Sequence, residues 1–196
     1  MMCRLSRSSG LVSHCLAGIF FSLASTGVGA QDEPQPSAWS AVKNAVTGIP
    51  KNGRLDAYLS FHAHHNRSTY SSKQLRRLDE DTWGLGAGWT LVNDKGNEES
   101  LHVLVNRDSH RNLQWSAGYS YQWIFPVVGN RLHVGAGLSA VVIRREDWFD
   151  GVPFPTILPV FSIGSHELKL VGTYVPRVSV GKGKGDVLML LLRASL

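Results

Sequence analysis

From about residue 54 onward, hydrophobic and polar residues alternate with a period of two, the repeat of a β-strand whose faces meet different surroundings. The clearest run is Asn112 to Trp123. Leu113, Trp115, Ala117, Tyr119, Tyr121 and Trp123 form one face; Asn112, Gln114, Ser116, Gly118, Ser120 and Gln122 form the other. Arg131 to Val142 repeats the scheme, with Leu132, Val134, Ala136, Leu138, Ala140 and Val142 against Arg131, His133, Gly135, Gly137 and Ser139. So does Thr82 to Leu91, where Trp83, Leu85, Ala87, Trp89 and Leu91 oppose threonines and glycines. Such runs predict eight strands, near 54–65, 82–93, 98–107, 112–124, 131–144, 155–164, 167–176 and 186–196. Upstream the period is helical: Ser37 is an N-cap, Ala38 to Val46 a helix, and Gly48 and Pro50 its stop. Trp39, Val42 and Val46 share one face. Two readings fit that stripe: a helix lying in a membrane interface, or one capping a soluble core.

The predicted strands run to about 10–12 residues, which suits a tilted membrane strand better than a soluble strand of about 5–6. Eight strands make the smallest common membrane barrel. Aromatic residues sit at strand ends, as Trp83, Trp115 and Trp123 do. The broad aromatic face alternates with Gly, Ser and Gln. That places the apolar set toward lipid, whereas a lipocalin-like soluble barrel would turn it inward. The fold class that follows is all-β: an eight-stranded antiparallel transmembrane β-barrel preceded by a short N-terminal amphipathic helix.

Residues 1–30 read as an export signal. Arg4 and Arg7 form the basic start, Leu16 to Phe21 the apolar centre, and Val28-Gly29-Ala30 the small residues before a cut. Residues 31–53 are then a periplasmic-side helix and linker, and 54–196 the barrel. Both cysteines, Cys3 and Cys15, fall in the leader. The exported chain therefore has no disulfide, thiolate zinc site or cysteine nucleophile, and no metal or cofactor is expected. The formal net charge of +5 includes the two leader arginines. The mild, dispersed basicity that remains suits anionic head groups and argues against nucleic acid. No later stretch of about 18 apolar residues offers a helical span.

With the helix on the periplasmic side, the first strand runs outward. The outer loops are then 66–81, 108–111, 145–154 and 177–185, and the inner turns lie near 94–97, 125–130 and 165–166. The inward faces are rich in Gly and Ser, while the sixth and last strands are apolar on both faces. Part of the lumen should therefore be a dry slot. It would suit an acyl chain, each buried methylene contributing about 0.8 kcal/mol; the alternative is a simply packed small barrel. Pro159 and Pro176 lie inside neighbouring predicted strands and cannot donate to a ladder, so they mark a lateral gate for lipid.

Chemistry gathers at the outer rim. His62 has the period-two phase opposite to Leu59, Phe61 and Ala63, which points it inward, and Asp108 and Ser109 end the third strand. Histidine moves protons near neutral pH, a carboxylate can orient it, and a hydroxyl can attack or donate. By themselves these residues, like His64, His65 and His110, read equally well as solvated loop positions. No GxSxG elbow, HExxH or phosphate loop is present.

The segment Phe61-His62-Ala63, the pair Asp108-Ser109 and the run Val152 to Pro159 resemble the outer-membrane lipid A palmitoyltransferase family, PagP. Gly172-Thr173-Tyr174-Val175-Pro176, Trp83-Gly84-Leu85-Gly86 and Asp94-Lys95-Gly96-Asn97 continue the resemblance in order across nearly all of the exported chain. It implies a monomeric outer-membrane acyltransferase. Such an enzyme moves a chain, usually palmitate, from the sn-1 position of a phospholipid donor to a hydroxyacyl chain of lipid A on the cell exterior. It also implies that His62 is a general base, that Asp108 orients or balances it, and that Ser109 is either a nucleophile or a polarising donor. Pro159 and Pro176 match the family's lipid entrance. A second proline pair of the family corresponds here to about Ala57 and Thr82. The acyl-chain floor, typically Gly, is Ser120, which should shorten the preferred chain slightly. Lys73, Arg76 and Arg77 in the first outer loop read either as contacts to lipid A phosphates or as a solvated charge run. The competing classes are a lipid A deacylase or lipase, and a non-enzymatic structural or adhesin barrel.

Overall fold

The structure, a computed structural model, describes residues 37–129, 131–177 and 185–196. The export signal assigned to 1–30 lies outside them. The elements are helix α1 (Ala38–Asn52), strand β1 (Arg54–His65), the short helix α2 (Ser72–Leu75), and strands β2 (Gly84–Val92), β3 (Glu98–Arg107), β4 (Leu113–Val128), β5 (Leu132–Arg144), β6 (Phe154–Gly164), β7 (Leu168–Val175) and β8 (Val187–Ser195). Each strand pairs antiparallel with the next, and β8 pairs back to β1, closing an eight-stranded barrel. Among the described residues no helix is long and apolar enough to cross a membrane.

The two faces of the wall are inverted relative to a soluble barrel. Outward residues are apolar and open: Leu85 is 70 %, Ile157 66 % and Leu113 61 % exposed, with Val103, Leu138, Phe161 and Trp123 on the same surface. Inward positions hold buried polar groups such as Asp56, Ser60, Glu98, Ser100, Gln122, Lys169 and Arg193. Water cannot be the solvent of the first set, whereas lipid can, and this is the outward band of a transmembrane barrel.

Closure forces close strand contact on the inner face. A Cβ added at Gly137 would overlap the Tyr121 carbonyl oxygen across the β4–β5 ladder, a backbone atom that cannot swing aside. Gly137→Ala should therefore destabilise the barrel by about 1–3 kcal/mol. A lowered midpoint of urea unfolding in detergent would show it, and an unchanged midpoint would contradict the packing described.

Several boundaries differ from the sequence expectation. α1 continues through Pro50 to Asn52 instead of stopping near Val46. Pro50 sits in the last turn, where it withdraws a single donor, and the buried Ile49 anchors that turn while the Gly53 N–H caps the Ile49 carbonyl at 2.7 Å. Val42 and Val46 are half exposed, so their stripe is uncovered by the barrel. β4 extends past Trp123 through Pro126 to Val128, with a register shift between Pro126 and Val128 that absorbs the missing proline donor.

Candidate active site at the outer mouth

The interior divides into two continuous spaces. The deeper one, of about 220 Å³, is lined chiefly by Leu104, Val141, Leu158, Val160, Val171 and Leu191. Its apolar lining includes residues of β6 and β8, as the two-faced apolar character of those strands predicts. Ser120, Ser139, Gln122 and Arg193 also line this slot. Ser120 is buried and inward, and a hydroxyl–hydroxyl hydrogen bond of 2.7 Å joins it to Ser139 on β5. Ser100 pairs with Ser120 from β3, so three serines form one rung across three strands.

Beyond that rung the lumen is charged, which the sequence reading missed. Lys169 Nζ donates to Glu98 Oε1 at 2.6 Å, and Arg193 Nη2 lies 2.9 Å from Glu98 Oε2, all three side chains being buried. The signal was present: each of the three has the inward phase of its strand, Lys169 between two leucines and Arg193 after six consecutive apolar residues. What the sequence lacks is the register that unites β3, β7 and β8.

The shallower space is the mouth. Asp108, Ser109, His65, Arg77, Arg145 and Trp148 are among its lining residues. It joins the slot at Gln114, Arg145, Trp148, Val175, Pro176 and Met189, which line both. Asp108 is fixed by the tight β3–β4 turn. Its Oδ1 accepts from the N–H groups of His110 (2.9 Å) and Asn112 (2.8 Å), and Arg111 takes a left-handed conformation, φ 68°, to close the turn. Asp108 Oδ2 is buried, has no hydrogen-bond partner among the described residues, and lies 3.6 Å from Arg145 Nη2. Arg145 itself forks onto Asp147 at 3.0 and 3.1 Å and sits 5.8 Å from the Trp148 ring centre. Arg145 was not singled out from the sequence; one arginine in a charged loop carries no mark of its place.

His62 does not line the mouth. A register shift between Ser60 and His62 on the β8 side changes the phase of β1, so Ala63 and His65 become the buried, inward residues. His62 is left half-buried and stacks on the exposed His64, ring centres 6.4 Å apart. The strict alternation that pointed His62 inward is thus overturned by one bulge. The 79–80 segment runs between the β1 side and the Ser109 side. The Ala63 N–H donates to the Glu80 carbonyl at 2.8 Å, and the Asp79 N–H donates to the Ser109 carbonyl at 2.9 Å, so the two residues Asp79 and Glu80 link the two sides.

The same connecting segment is electrostatically fixed. The Asp81 N–H and the Arg111 guanidinium hold the Asp79 carboxyl below its ordinary range. Burial pushes Glu80 up, but the His65 N–H and Arg67 outweigh it and bring that carboxyl below its ordinary range as well. Both are therefore anionic at neutral pH.

The ladder between β6 and β7 is incomplete. β6 and β7 pair only from Val160↔Thr173 to Gly164↔Lys169. The outer half of β6, Phe154–Pro159, bonds to β5 alone, and Tyr174 and Val175 bond to β8 alone. Two details of the expectation change. Pro176 follows the end of β7 instead of lying inside it. Continued register would set Pro159 against Tyr174, so the prolines are staggered, not facing. On the opposite wall Ala57 pairs normally with Ala87, and the Ser60 hydroxyl bridges to the Thr82 carbonyl at 2.8 Å. That wall is stitched. Of the three loop cations, Arg77 lines the mouth, while Lys73 and Arg76 are exposed on and beside α2, whose start carries a Ser71–Gln74 capping box.

Residues 45–193 match a family profile described as "antimicrobial peptide resistance and lipid A acylation protein PagP". The chain belongs to the PagP family. A lipid A acyltransferase PagP of Methylobacillus flagellatus is 36 % identical over 139 residues, spanning 70 % of this chain and 73 % of that protein. The namesake of Bordetella pertussis is 36 % identical over 148 residues, 76 % of this chain and 79 % of its own length. That of Legionella pneumophila is 37 % identical over 145 residues, 74 % and 75 % respectively. Membership of the PagP family and an apolar-belted barrel fit an outer-membrane protein of a Gram-negative cell.

Proposed function

We propose that this barrel is a lipid A acyltransferase of the outer membrane, with its mouth at the cell exterior. The donor is the sn-1 acyl chain of a phospholipid and the acceptor a hydroxyacyl chain of lipid A. The observation that carries this reading is the single continuous path from the gap between β6 and β7, past Pro159 and Pro176, into an apolar slot whose top meets Asp108, Ser109 and Arg145. A structural barrel has no need of an apolar slot joined to a charged mouth. The chain acts as a monomer, since the slot and the mouth are complete within one barrel.

In this mechanism the donor chain enters sideways from the outer leaflet and fills the slot, leaving its ester at the mouth. The acceptor is itself a membrane lipid, so it approaches along the barrel's outer surface, where His62 lies. His62 takes the proton of the acceptor hydroxyl, and that oxygen attacks the ester carbonyl. The bond to the glycerol oxygen then breaks, and the imidazolium returns its proton to the departing lysophospholipid. Asp108 and Arg145 set the charge at the mouth. Ser109 offers its hydroxyl there, and Arg77 meets the anionic head groups.

Ser120 acts as the floor. Ser120→Gly removes a hydroxymethyl group from that floor, so the transferred chain should lengthen. Since one methylene is worth about 0.8 kcal/mol, the preference between neighbouring chain lengths should move about fourfold. Mass spectrometry of modified lipid A reads this directly, and an unchanged chain length would remove Ser120 from the floor. The same measurement, on cells with and without the gene, tests the whole reading. Acyl transfer adds one chain to lipid A. A deacylase would subtract one, and a structural barrel would change nothing.

A further inference from the structure

The three-histidine run His62, His64, His65 is only partly used by the mechanism above. The bulge that carries His62 to the outer surface carries His64 with it, because residues two apart on a strand share a face. The two imidazoles are stacked, and His64 is exposed and free to turn. Glu80 completes a triangle: one ring nitrogen of each histidine and one Glu80 carboxylate oxygen all lie within 4.8 Å of one another. The third donor is held in place. Its own carbonyl accepts the Ala63 N–H, its Oε1 accepts the His65 N–H at 3.2 Å, and its Oε2 takes Arg67 Nη2 at 2.9 Å. A carboxylate oxygen has lone pairs to spare after one such bond, so Glu80 can ligate without releasing Arg67.

We infer that His62, His64 and Glu80 form a binding site for a transition-metal dication, zinc above all, on the outer rim. Two imidazoles and a carboxylate with one position left open are a donor set that zinc uses. Metal–nitrogen bonds of about 2.0–2.1 Å put neighbouring ligand atoms about 3.4 Å apart around a tetrahedral ion. The triangle must therefore contract by at most about 1.4 Å, which the two imidazoles can supply by rotation. Nitrogen donors select zinc, nickel or copper over magnesium and calcium, which prefer oxygen. The second His–carboxylate cluster, Asp108, His110 and Asp147, differs in having its cation already: Arg145 forks onto Asp147.

The consequence rests on the proposed role of His62. A metal on its imidazole occupies the lone pair that would take the acceptor's proton. Zinc should therefore inhibit acyl transfer reversibly, with the barrel intact, and a chelator should restore it.

The test uses the tag-free barrel in detergent. Titration with zinc chloride, followed by calorimetry, should show one ion bound, and excess magnesium chloride should not displace it. His64→Gln should weaken zinc binding by about tenfold or more, the loss that even a supporting residue causes at a metal site. The same variant should keep its metal-free acyl transfer and escape zinc inhibition. Absence of zinc binding, or binding undiminished by His64→Gln, overturns the site. If zinc binds through His64 but leaves acyl transfer untouched, the site stands and the general-base role of His62 falls.

Discussion

Acyl transfer to lipid A falls by about a hundredfold or more when His62 is replaced by alanine, the range expected for loss of a general base. The His62 side chain is half-buried at the rim and makes no hydrogen bond among the described residues, so the barrel itself should be unaffected. Activity and fold therefore separate cleanly. The variant should keep the heat-modified gel mobility and the unfolding midpoint of the parent while purified enzyme, phospholipid and lipid A yield almost no product. His65 provides the control. It is the inward histidine, buried in the mouth wall with its ring edge against Tyr70, centres 5.1 Å apart. If His65→Ala abolishes transfer and His62→Ala leaves it intact, the proton acceptor is the inward residue, and the assignment carried by the Phe61-His62-Ala63 motif is wrong.

Stability should respond most strongly at Glu98. Its carboxylate is the shared partner of Lys169 and Arg193, with His166 Nδ1 a further 3.6 Å away. Glu98→Gln keeps the size and removes the charge, leaving two buried cations face to face. Breaking a buried pair by removing one partner costs about 3–5 kcal/mol, because the remaining charge cannot return to water. The exposed pair Arg67–Glu80 makes the contrast: Arg67→Ala should cost about 0–1 kcal/mol. Urea unfolding of the refolded barrel measures both. Similar midpoints for Glu98→Gln and Arg67→Ala would show that water reaches the charged cluster below the serine rung, and that the end of the slot is open there.

The wall was legible in the chain because a strand writes its environment at every second residue. Leu113, Trp115 and Trp123 against Gln114, Ser120 and Gln122 state which side meets lipid, and the strand count follows from the turns between such runs. The apolar lining of the slot was legible for the same reason, since β6 and β8 lack a polar face over much of their length. Ser120 kept its inward place because β4 runs unbroken through it, without a bulge until Pro126. The lateral gap announced itself through Pro159, a residue that cannot complete a ladder.

The tertiary structure decided what depends on an interruption or on distant partners. A bulge of one residue at Ser60–His62 exchanged the inward and outward histidines, and no local composition marks it. Glu98 lies on a strand far in the chain from Lys169 and Arg193, which face each other across the β7–β8 ladder. Only barrel closure, which fixes the stagger of every strand at once, makes them one ion-paired cluster. Alternation along a strand is a local property and survives in the sequence alone. Register between strands is a collective one, set by the whole closed ring.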